Sequence, residues 1–195
     1  MKKLFNILIV LIAVFLLANH CFAALSFEDK KKNIIALYNS NNLEEAYNMI
    51  STITEDERDY EIWYLLGNMS QDFNNDTNAA FFLQKSILLN PEFDKAHYNL
   101  GNIHLKEKRY NSAINEYKLA IKYKKDFPYY YYNLGCAYLA QREYNGAKVA
   151  FKKAIKLNPN EANFHYNLAL AYKNLKNDKE AQKALDKYNQ LKEEK

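Results

Sequence analysis

Tyr98-Asn99-Leu100-Gly101, Tyr132-Asn133-Leu134-Gly135 and Tyr166-Asn167-Leu168-Ala169 begin 34 residues apart. An earlier, looser copy, Tyr64-Leu65-Leu66-Gly67, stands the same distance upstream, so four copies keep one register without insertion or deletion. Ala79, Ala113, Ala147 and Ala181 form a second ladder at that spacing, each twelve residues beyond the Gly or Ala that ends the first string. Fixed periodicity of this length marks a solenoid of helix pairs, in which each unit buries its apolar face only against its neighbours.

Composition agrees with an all-α chain. Among 195 residues only four are Gly and three are Pro, which leaves little material for turns or disorder. Seventeen Tyr supply much of the hydrophobic content. A Tyr ring is apolar and its tip polar, so such residues suit half-buried surfaces and interfaces.

The first 25 residues differ from the rest. Lys2 and Lys3 precede an almost unbroken apolar run from Leu4 to Ala18, and a short polar stretch leads to Cys21-Phe22-Ala23-Ala24. This order of positive region, apolar region and small residues reads as a signal peptide over 1–23, cleaved after Ala23. The expected location is therefore exported, periplasmic or secreted. An uncleaved membrane anchor is the alternative, although the apolar run is shorter than the ~20 residues that span a bilayer. Lipidation at Cys21 would also anchor the chain, but His20 stands where a lipoprotein signal usually has a small residue.

Without residues 1–23 the chain loses two of its 27 basic residues and none of its 23 acidic ones, leaving a net charge of +2. Lys and Arg are mixed with Glu and Asp along the helices instead of forming a block, so no nucleic-acid footprint is expected. One cysteine, Cys136, is left, and a single thiol cannot form an internal disulfide.

Residues 27–59 read as a degenerate first repeat that caps the amino-terminal end. Ile34, Ile35, Leu37 and Tyr38, then Leu43, Ala46, Ile50 and Ile53, mark two amphipathic helices separated by Asn39-Ser40-Asn41-Asn42. Ala46 lies 33 residues before Ala79, one short of the period. Terminal repeats are commonly atypical because one face meets solvent.

From Tyr60 onward the chain resembles the tetratricopeptide repeats, whose pattern places Trp-Leu-Gly-Tyr on a first helix and Ala-Phe-Ala-Pro on a second. The repeats run 60–93, 94–127, 128–161 and 162–195, the last with a capping helix at its carboxy-terminal end. Trp63, Leu66, Gly67, Ala79, Leu83 and Pro91 match in the first of these, where Ser70 and Ser86 depart. Leu134, Gly135, Tyr138, Ala147, Phe151, Ala154 and Pro159 match in the third, with Tyr131 in the Trp place. The second has His97 and His104 at aromatic positions and Lys125 in place of Pro; the last has Ala169 for Gly, Leu185 for Phe and Tyr188 for the second Ala. The resemblance implies a right-handed α-solenoid of antiparallel helix pairs.

Catalytic chemistry is hard to find in this sequence. It has no Gly-rich phosphate loop and no nucleophile elbow, and the repeats use up the chain. His97 and His104 share a helix face but no Cys, Asp or Glu completes a ligand set nearby, so they read as packing residues. Cys136 stands beside no obvious base and reads as a small apolar residue near the groove. The expectation is a non-enzymatic chain with no catalytic residue, no metal, no cofactor and no small-molecule substrate.

Function then belongs to a surface. In tetratricopeptide solenoids the first helices line a concave groove that receives an extended peptide or a partner helix. The residues left free to face it are Tyr64, Tyr98, Tyr132 and Tyr166, then Asn99, Asn133 and Asn167, with Asn68 and Asn102 one turn further on. Asn offers two donors and an acceptor to a peptide backbone, and Tyr adds rigid contact area. The Lys and Arg clamp that some family members use for chaperone tails is missing, since Tyr64, Tyr129 and Asn133 hold those places. Two readings remain: a scaffold binding a protein or peptide in the groove, and a structural subunit that self-associates within an envelope or secretion assembly.

Overall fold

In the computed structural model the described residues are 25–194. The expected signal segment 1–23, the cleavage point after Ala23 and Cys21 lie outside them. No helix among the described residues is long and apolar enough to cross a membrane. The described residues divide after Arg58 into two compact units.

In the first unit, α1 (Phe27–Asn39) and α2 (Leu43–Ser51) form a helix pair, followed by a short 3₁₀ turn, Glu55–Glu57. The Ser26 hydroxyl accepts from the Asp29 amide at 3.2 Å, satisfying one of the donors that a helix start leaves open. Ile34, Ala46, Met49, Ile50 and Ile53 are buried. Asn41, between the helices, has φ 63°.

The second unit is four helix pairs at one period. Its first helices are α3 (Tyr60–Asp72), α5 (Asp94–Lys106), α7 (Pro128–Ala140) and α9 (Ala162–Asn174). Its second helices are α4 (Asp76–Leu89), α6 (Tyr110–Tyr123), α8 (Tyr144–Leu157) and α10 (Asp178–Glu193). Pro128 opens α7 at a position whose N–H has no intrahelical partner to lose. Each pair turns through one left-handed residue, at Asn74, Lys108, Arg142 and Lys176, with φ between 57° and 65°. At the second of these turns the Lys108 amide donates to the Leu105 carbonyl and the Arg109 amide to the His104 carbonyl. That double bond pattern closes the end of a helix, and a glycine-poor chain makes it with Asn, Lys and Arg at some cost in strain.

The core is a row of joints between repeats. Ala79 and Leu83 of α4 pack with Ala96, Leu100 and Ile103 of α5, and Ala113, Ile114 and Tyr117 of α6 pack with Leu134 and Ala137 of α7. Ala147 and Phe151 of α8 then meet Leu168, Ala169 and Ala171 of α9. Within a repeat, the glycine of the first helix faces a large side chain of the second. A Cβ at Gly67 would lie 2.8 Å from Leu83 Cγ, at Gly101 2.7 Å from Tyr117 Cε1, and at Gly135 2.5 Å from Phe151 Cε1. These glycines are there because the crossing leaves no room for a side chain. The two serines that depart from the repeat pattern keep their hydroxyls satisfied: Ser70 donates to the Leu66 carbonyl at 2.8 Å and Ser86 to the Tyr60 carbonyl at 2.7 Å.

Candidate functional site

First helices of successive repeats touch one another, α5 with α7 and α7 with α9, so they form the inner side of the row. The second helices form the outer side. The nine candidate residues all lie on first helices and come together as one continuous strip. Charge is scarce along its carboxy-terminal half: α7 has no ionisable acid or base other than Tyr and Cys136, and α9 has, besides Tyr, only Lys173 and His165.

The strip is bonded to itself. Asn99 donates to Asn68 Oδ1 at 2.6 Å. Asn133 donates to the Tyr98 hydroxyl at 3.0 Å and to Asn102 Oδ1 at 2.8 Å. Asn167 donates to the Tyr132 hydroxyl at 2.8 Å and to the Asn163 carbonyl at 3.2 Å. Asn102 Oδ1 also accepts from the Tyr117 hydroxyl at 2.8 Å. Each bond between first helices spans about one period, so the Asn amides join neighbouring repeats. Both amide hydrogens of Asn133 and of Asn167 are thereby spent inside the chain, a use the sequence did not reveal. Their Oδ1 atoms remain as acceptors.

The tyrosine rings are packed edge and face. Tyr64 lies 5.1 Å from Phe93, Tyr98 4.9 Å from Tyr130, and Tyr132 4.9 Å from Phe164. Burial pushes the Tyr64, Tyr98 and Tyr132 hydroxyls above the ordinary phenol range, so all stay protonated donors. Tyr166 is the most open of the four at 42% exposure, with Tyr188 5.2 Å away. Phe93 and Phe127, half-buried, and Tyr130 and Phe164, buried, back these rings. Their own 34-residue spacings were the signal that would have found them.

Cys136 stands one period after Asn102 and two after Asn68, so it takes the rung where the earlier repeats have an amide. Burial, partly offset by its contact with the Tyr132 hydroxyl, pushes its thiol up to about 11. It is a poor nucleophile at neutral pH.

The histidines sit inside the repeats. Burial alone would lower the His97 pKa, but Nδ1 lies 2.7 Å from Glu116 and Nε2 2.9 Å from the Pro91 carbonyl. These acceptors and the charges of Glu116 and Asp94 outweigh burial and hold it above the ordinary imidazole value. His165 Nε2 meets the Pro159 carbonyl at 2.8 Å, and the Tyr131 hydroxyl donates to the Lys125 carbonyl at 3.1 Å. His97, Tyr131 and His165 occupy one repeat position, and all three tie the same inter-repeat loop. His104 is buried beside the helix end, with Glu107 at 3.7 Å. No group of three or more His, Cys, Asp or Glu among the described residues is arranged to hold a metal.

Tetratricopeptide repeat models match residues 60–93, 101–142, 128–161 and 150–183, together more than half of the chain. The chain is a tetratricopeptide-repeat protein. Solved structures of the same fold include MamA, residues 41 to the end, from Desulfovibrio magneticus RS-1. It is 22% identical, with 86% of this chain and 96% of that one covered and a TM-score of 0.77. MamA AMB-1 is 21% identical over 84% of this chain and 90% of that one, with a TM-score of 0.75. MamA MSR-1 is 23% identical over 85% and 95%, with a TM-score of 0.74. At these identities the likeness shows the shared tetratricopeptide fold. A comparison with curated protein sequences finds no match.

Proposed function

We propose that this tetratricopeptide-repeat protein is an exported, non-enzymatic scaffold whose inner strip receives an extended segment of a partner protein. The observation that supports this best is the strip itself: aligned Tyr rings and Asn oxygens repeated at one period, with little charge on α7 and α9. With the Asn donors engaged between repeats, the strip offers ring faces and acceptor oxygens. A partner backbone would donate its N–H groups to Asn133 and Asn167 Oδ1 and lay apolar side chains over Tyr132 and Tyr166. Export rests on the leader pattern of residues 1–23.

Co-purification from cells producing the full chain tests both halves. Tyr166→Ala and Tyr132→Ala are expected to lower recovery of a bound partner at least about tenfold, the scale on which loss of an aromatic anchor is read, with an unchanged mass by light scattering. A fall in mass instead would favour the self-associating subunit. Amino-terminal sequencing of the same sample should begin at Ala24; an intact Met1 overturns export.

A further inference from the structure

The outer side carries a cleft of about 560 Å³ between α7 and α8, within the usual range of binding clefts. Its floor is Tyr131, Leu134 and Tyr138, the face of α7 turned away from the inner strip, and Val149 on its wall is 65% exposed. Two ammonium groups flank it. Lys153 lies 5.7 Å over the Tyr131 ring and Lys118, from α6, lies 5.8 Å over the Tyr138 ring. Ring faces hold these cations in place while leaving their charge unneutralised.

The two outer helices that border it carry mostly positive charge, with the exposed Glu143 at the start of α8 as the nearest acid outside them. The α8 helix has Lys148, Lys152, Lys153 and Lys156 and no carboxylate, and the one carboxylate of α6, Glu116, is turned inward to His97. Neither Lys118 nor Lys153 forms an ion pair with a described residue. We propose that this outer cleft is a second docking site, which takes an acidic peptide segment by seating one large apolar side chain between Lys118 and Lys153.

The geometry favours a peptide over other anions. Nucleic acid would need open ring faces for base stacking and is gripped best by Arg forks; both tyrosines are already covered by lysine, and α6 and α8 contain no Arg. A lipid surface is entered by protruding apolar groups, whereas this apolar floor is recessed.

The probe is a fluorescein-labelled peptide, Glu-Asp-Glu-Phe-Asp-Glu-Asp, titrated with the full chain by anisotropy, beside a control with Gly in place of Phe. The Phe peptide should bind at least about tenfold tighter than the Gly peptide. The double variant Lys118→Gln/Lys153→Gln, and separately Val149→Asp, should each weaken it by about tenfold or more, with helical signal and unfolding midpoint retained. Tyr166→Ala on the inner strip should leave it unchanged. Equal binding of the two peptides overturns the inference, as does tighter binding of a thymidine oligonucleotide or of vesicles containing phosphatidylserine. If Tyr166→Ala weakens the peptide and the lysine variant does not, the outer site falls while the inner-strip reading stands.

Discussion

The inner and outer faces of the same four repeats use polar residues in opposite ways. On the inner face nearly every polar tip is bonded to the repeat beside it: Asn99 to Asn68, Asn133 to Tyr98 and Asn102, Asn167 to Tyr132. On the outer face Lys118, Lys152, Lys153 and Lys156 are exposed and without ion pairs among the described residues. A repeat must hold its neighbour somewhere, and the side where first helices approach is where short side chains can bridge. The outer helices stand further apart, so long charged side chains there meet solvent. Stability and recognition are therefore mixed on the inner face and separable on the outer one.

The largest effect that could break this contrast comes from the helix crossing. Gly135→Ala places a methyl group 2.5 Å from Phe151 Cε1, a ring buried on all sides. Overpacking of this kind costs roughly 1–3 kcal/mol, to be read from urea unfolding. Lys153→Gln, the outer control, should stay within about 0.5 kcal/mol; an equal loss would erase the distinction.

A smaller effect sharpens it. Asn133→Ala removes two hydrogen bonds between repeats, although Asn102 Oδ1 keeps the Tyr117 hydroxyl, a loss of about 1–2 kcal/mol. In a double-mutant cycle with Tyr98→Phe the two losses should fall short of additive, because both delete the same bond. Strict additivity would show that the strip is not a connected ladder.

The smallest concerns the one acid that α6 turns inward. The His97 pKa in the folded chain is raised above its unfolded value of about 6.5. Protonated His97 therefore stabilises the fold fully below about pH 6.5, and that contribution is lost as pH rises through the raised folded value. His97→Gln should flatten the fall in unfolding free energy as pH rises above about 6.5. An unchanged slope would mean that the Glu116 pairing contributes nothing.

The all-helical solenoid was legible in the sequence because the periodicity belongs to packing: Gly67, Gly101 and Gly135 recur where a Cβ has no space, and Ala79, Ala113 and Ala147 where two repeats meet. The candidate strip was legible as a set of neighbouring positions, since residues on equivalent helix faces must align. Its internal bonding was not, because Asn133 reaching Tyr98 depends on how far one repeat rotates against the next. The outer lysines were hidden for a related reason. Along the chain their charge is diluted by acids on other helices, and only sorting by face separates Lys118 and Lys153 from Glu116. His97 read as a packing residue, whereas its two nitrogens tie a loop carbonyl and a carboxylate.

Cys136 gives the strip a graded mechanical response. The joint between the second and third repeats is clasped by two amide bonds from Asn133, but the next has a thiol where the second acceptor would stand, and Asn167 turns its other hydrogen to its own helix. A thiol holds far more weakly than an amide. Pulled from its ends, the row would hold best at the doubly clasped joint, and a guest that spreads the repeats would meet most resistance there.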